Sequence, residues 1–110
     1  MVGEAQLHTL VDHHNARAEA AVSDRCRQAA VAFLQCLSTP HEVRRVRVSP
    51  DARVCFLFGE PGGRELAVEF WRDGEAVVVY RTPYSVQSRS VYSSREAAAS
   101  VQSWADRGGR

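Results

Sequence analysis

From about Gly3 to Leu37 the chain has no proline, and apolar side chains recur at Leu7, Leu10/Val11, Ala18, Ala21/Val22, Ala29, Ala32/Phe33 and Cys36/Leu37. Steps of three and four residues are the helical period. A single helix of this length would reach about 50 Å at 1.5 Å per residue, whereas a chain of 110 residues folds to a body only about 35 Å across. The segment must therefore break or project. One reading is a helix pair broken near Ser23-Asp24, with Ser23 capping the second helix. The other is one helix whose first part, residues 1–22, projects and dimerises. Apolar content is weaker before Ser23, so Ser23 to Leu37 is the firmer helix, and Ser38-Thr39-Pro40 ends it.

The pattern then changes to period two. Val43 to Val48 alternates valine with arginine, Ser49-Pro50-Asp51 turns the chain, and Arg53 to Phe58 is apolar almost throughout. Glu65 to Trp71 and Ala76 to Arg81 flank Asp73-Gly74, a hairpin signal. These four runs predict an antiparallel meander. With Asp73-Gly74 as a two-residue turn, Phe70 faces Val77 and Val68 faces Val79 on the core side with Leu66. The other side then carries Glu65, Ala67, Glu69, Trp71, Val78 and Tyr80. Val54, Phe56 and Phe58 join the core side if the Glu60-Pro61-Gly62-Gly63 loop holds an odd number of residues or a bulge, since a one-residue slip inverts the faces. The second face is then half apolar, with Cys55, Leu57, Trp71, Val78 and Tyr80 in need of cover. Val86 to Val91 offers a fifth, edge strand. Ser93-Ser94-Arg95-Glu96 is a capping box for a last helix over Glu96 to Asp106, whose apolar stripe is Ala97, Ala98, Val101 and Trp104/Ala105. The expected fold is a two-layer α+β sandwich forming one domain over residues 1–110.

Composition narrows the chemistry. Lysine is absent and arginine supplies all 14 basic side chains, which excludes Schiff-base catalysis and a phosphate-loop lysine. With isoleucine also missing, the usage suggests a GC-rich bacterial coding sequence. A formal charge of +1 gives no global attraction to nucleic acid or anionic membrane. Met1-Val2-Gly3-Glu4 does not open a signal peptide and no apolar run is long enough to span a bilayer, so a cytoplasmic protein is expected. Cys26, Cys36 and Cys55 share no metal or disulfide spacing and read as free thiols.

Candidate sites follow from what remains. His8, His13 and His14 with Asp12 are the densest set of metal-ligand residues, and His8 and Asp12 share a helical face, but the other ligands of a site are lacking. No metal or cofactor is expected. There is no Gly-x-Ser-x-Gly elbow, and Glu65 and Glu69 lie about 13 to 14 Å apart along a strand, too far for paired acid/base work. No catalytic residue is assigned. The stretch from Tyr80 to Arg95 instead interleaves tyrosine and arginine with small polar residues, a composition found at binding hot spots. The leading expectation is a non-catalytic protein-binding module of adaptor, chaperone, or immunity or inhibitor type. Its expected partner contacts are Trp71, Tyr80, Arg81, Tyr84, Arg89 and Tyr92. A homodimer through the Leu7 to Val22 segment accompanies it. The alternative is a nucleic-acid-binding protein that meets phosphates with Arg44, Arg45, Arg47 and Arg53.

Overall fold

The computed structural model describes residues 3–17, 20–37, 43–91 and 93–107. Two helices come first, α1 (Glu4–Asn15) and α2 (Asp24–Cys36). The strands are β1 (Arg45–Val48), β2 (Val54–Gly59), β3 (Glu65–Phe70), β4 (Ala76–Thr82) and β5 (Ser85–Val91), and α3 (Ser94–Asp106) closes the chain. The sheet has five strands in the order β1-β2-β3-β4-β5, every pairing antiparallel. It is the expected α+β meander, and the fifth strand is formed.

The N-terminal third breaks rather than projects. Ser23 accepts the Cys26 N–H at 3.1 Å and so caps α2, while Asn15 Oδ1 accepts the Val22 N–H at 2.8 Å and folds the connection back. Helix α1 lies against α2 and β1, and Leu7 and Val11 are fully buried in the chain's own core. Neither side chain is left for a second chain to cover.

All three helices lie on one face of the sheet, α1 beside β1, α2 over β2 and β3, and α3 over β3 and β4. At the centre Phe33 of α2 packs on Phe56 and Phe70, with ring centroids 4.9 and 5.3 Å apart. Edge-on contact continues between Phe56 and Phe70 at 6.0 Å. The five-residue β2–β3 loop, closed by the Glu60 N–H to the Arg64 carbonyl at 3.2 Å, is odd in length. Val54, Phe56 and Phe58 consequently share the helix face with Leu66, Val68 and Phe70.

The β3–β4 turn departs from expectation. Trp71 N–H donates to the Glu75 carbonyl and Gly74 N–H to the Trp71 carbonyl, both at 2.9 Å, with Gly74 at φ +85°. This is a three-residue loop with glycine in the left-handed position, not a two-residue Asp73-Gly74 turn. The pairing becomes Phe70 with Ala76 and Val68 with Val78. That single-residue slip turns β4 over. Val78 and Tyr80 face the helices, and Val77 and Val79 face away.

The β1–β2 turn uses the same bonding, Ser49 N–H to Arg53 and Ala52 N–H to Ser49 at 2.9 Å, with Ala52 at φ +65° where the later turn has glycine. At β4–β5, Thr82 Oγ1 accepts the Tyr84 and Ser85 N–H groups at 3.2 and 3.1 Å. These bonds seat the Pro83-Tyr84 turn and carry β5 into register.

Candidate functional site

With every helix on one side, the other side of the sheet is bare among the described residues. Register assigns its rows. Arg45, Leu57, Ala67, Val79 and Ser88 lie side by side across the strands, and Arg47, Cys55, Glu69, Val77 and Ser90 form the next row. In the middle of the rows Cys55 and Ala67 are buried and Leu57, Glu69, Val77 and Val79 half-buried by their neighbours, whereas the arginines on β1 are exposed. Trp71 stands beyond the second row, 39% exposed, and the Arg53 guanidinium lies 3.9 Å from its ring centroid. Arg53 also pairs with Asp51 at 3.1 Å. Val86, on β5, is 67% exposed.

The charges on this face are partly compensated. Arg44 donates to Glu65 Oε2 at 3.1 Å and to the Gly59 carbonyl at 2.9 Å. The Arg44 bond, helped by the Gly62 N–H, holds the Glu65 carboxyl below its usual range against the opposing effect of desolvation. Cys55 is buried in the sheet surface, and desolvation pushes its thiol up, with Glu69 adding to the shift and the Arg47 guanidinium opposing it. Cys26, behind the sheet, donates to the Phe70 carbonyl at 3.2 Å and is likewise raised by burial. Neither thiol has the character of a nucleophile at neutral pH.

The expected partner contacts do not form one patch. Trp71 and Arg81 are on the bare face, Trp71 at the β3–β4 turn and Arg81 near the far end of β4. Tyr84 is 96% exposed at the tip of the β4–β5 hairpin, more than about 20 Å along the strand from Trp71. Tyr80 is turned to the helix side and packs against the core, a consequence of the three-residue turn. Arg89 is also on the helix side and donates to Ser100 Oγ at 2.6 Å. Tyr92 lies outside the described residues. Of the arginines assigned to phosphates, Arg45, Arg47 and Arg53 share the bare face, and Arg44 is engaged at its margin. Val77 and Val79, expected in the core, supply much of the apolar band instead.

The histidine set is engaged elsewhere. Arg27 of α2 reaches Asp12 at 2.8 Å and His8 Nδ1 at 3.2 Å, His13 contacts Arg17 at 3.1 Å, and His14 contacts the Ala20 carbonyl at 2.7 Å. Among the described residues no three of His, Cys, Asp and Glu converge, and no helix is long and apolar enough to cross a membrane. Comparison with protein-family models, curated proteins and solved structures finds no match. The site must be interpreted from its geometry alone.

Proposed function

We propose that the chain is a non-catalytic protein-binding module acting in the cytoplasm, and that the bare sheet face is its principal contact surface. The observation that carries this reading is the one-sided cover of the sheet. Sheets of this kind bury one face and can leave the other to water, but solvated faces alternate to polar residues, and this one keeps Leu57, Ala67, Val77 and Val79 in adjoining strands. An apolar centre with Trp71 and arginines at its margin matches the anatomy of a protein interface, whose core is apolar and whose anchors are aromatic or arginine side chains. Free thiols at Cys26, Cys36 and Cys55 fit a reducing compartment.

A second copy of the chain is one partner this face suits. With Leu7 and Val11 satisfied inside the monomer, the homodimer moves from α1 to the sheet, where an isologous contact would bury Leu57, Val77 and Val79 of both copies. Sedimentation equilibrium at micromolar concentration, run beside affinity capture from the native host, tests the reading. Wild-type chain should sediment above 12.2 kDa or retain a protein partner. Val79→Glu should abolish either association with an unchanged circular dichroism spectrum, and Trp71→Ala should weaken it by about 2 kcal/mol. A monomer that captures nothing, or association indifferent to both substitutions, would discard the proposal. Association only with oligonucleotide, falling linearly in log affinity with log salt, would favour the nucleic-acid alternative.

A further inference from the structure

Between α1 and β1 runs a groove of about 420 Å³. Leu10, His13 and His14 near the end of α1 and Arg17 just after it form one wall, and residues 45–48 form the other. Consecutive strand residues point to opposite faces of a sheet. All four can line one groove only if it follows the strand's outer edge, where the backbone itself is exposed.

That edge is chemically unfinished. Among the described residues β1 pairs only with β2. Ser49 N–H donates inward to the Arg53 carbonyl, and antiparallel alternation then directs the amides of Arg47 and Arg45 to β2 as well. The N–H and C=O groups of Val46 and Val48 are left facing the groove. An extended chain laid there can pair with both as a sixth strand. Leu10, Val46 and Val48 give it an apolar floor. The rim is cationic: among the described residues Arg45 and Arg17 have no carboxylate partner, Arg47 stands beside them, and none that lines the groove is acidic. Among the described residues the only rings lining it are the His13 and His14 imidazoles, with no Phe, Tyr or Trp to serve as the broad stacking platform that single-stranded nucleic acid uses.

We infer that this groove binds an acidic, extended peptide segment of another protein by strand addition to β1. The inference rests on the protein-binding reading but uses a second surface, so the two can fail separately. The test is panning a random octapeptide phage library on the full-length chain, followed by fluorescence polarisation with the enriched peptide. Enriched sequences should be net negative. Val48→Pro removes an N–H that faces the groove and not β2, and Arg17→Glu reverses an exposed charge without touching the core. Each should weaken peptide binding at least tenfold, while Val79→Glu should change it less than twofold. In the complex, amide exchange at Val46 and Val48 should slow at least tenfold. Neutral or cationic consensus sequences, no enrichment over bare support, or full affinity in Arg17→Glu would overturn the inference. So would an oligonucleotide 20-mer that displaces the peptide at equal salt and lower concentration, or a dimer abolished by Val48→Pro.

Discussion

Two glycines with nearly the same backbone offer a controlled measurement of what the β2–β3 connection tolerates. Gly59 has φ +86° and Gly62 has φ +76°, so alanine at either carries a left-handed penalty of about 1–2 kcal/mol, partly offset by about 0.4–1 kcal/mol from a less flexible unfolded chain. Their surroundings differ. A Cβ on Gly62 meets nothing within 4 Å, whereas one on Gly59 runs into the Arg64 carbonyl oxygen and stands 3.0 Å from Cη2 of Trp104. That carbonyl closes the loop and the Trp104 ring is buried under α3, so neither can retreat without loss. Overpacking of this kind costs about 1–3 kcal/mol. Gly62→Ala should therefore lose about 1 kcal/mol and Gly59→Ala about 2–4 kcal/mol, a difference visible in urea titrations that share one m-value. In thermal melts the gap should be about 4–12 °C. Equal losses in the two variants would show that the collision relaxes freely and refute the reasoning.

Ala52→Gly should leave stability within about 0.5 kcal/mol of wild type, because relief of about 1–2 kcal/mol of left-handed strain is met by loss of a buried methyl near 0.8 kcal/mol and added chain entropy; a urea midpoint shift equivalent to more than about 1.5 kcal/mol would contradict this. Native protein should titrate one thiol, Cys36, with an aromatic disulfide reagent, and three after denaturation, since Cys26 and Cys55 are buried. Burial raises the pKa of both of these thiols, so the unfolded chain releases their protons first. Their contribution is then complete below about pH 8.5 and lost as pH rises beyond it; urea midpoints should fall on the alkaline side, and fall less in the Cys26→Ala/Cys55→Ala variant.

Much of this architecture is legible in the residues because the relevant signals are local. Ser23 and Ser93 precede their helices with a hydroxyl in reach of the third N–H onward, and both cap as expected. The alternation of Val54, Phe56 and Phe58 with the odd loop after Gly59 places the aromatic core. The slip at β4 was not legible, because Asp73-Gly74 suits either a two-residue turn or the last part of a three-residue one. The choice depends on whether Ala76 or Val77 meets Phe70, which is a matter of tertiary packing. β5 is only weakly marked in the sequence because serine, glutamine and arginine have little strand preference. Its order comes from Thr82 bonding the turn. The groove beside β1 was invisible for a different reason. Arg17 and Arg45 are brought together only after α1 settles on the same sheet face as α2, and no periodicity says which face a helix will choose.

The meander has a kinetic consequence. Each strand joins its sequence neighbour through only two to five residues, so pairing requires closing short loops, which costs little entropy, and any hairpin can act as a template for the next. Two distant closures remain, the seating of Phe33 on Phe56 and Phe70 across the α2–β1 connection and the return of α3 to α2, where Ser94 Oγ donates to the Ala29 carbonyl at 2.7 Å. Chains of mixed α/β topology with local pairing fold faster than sheets built from distant strands. Here the search for the native state should be governed by docking the helices onto a sheet that largely assembles itself, and the unsheathed face is exposed throughout that search.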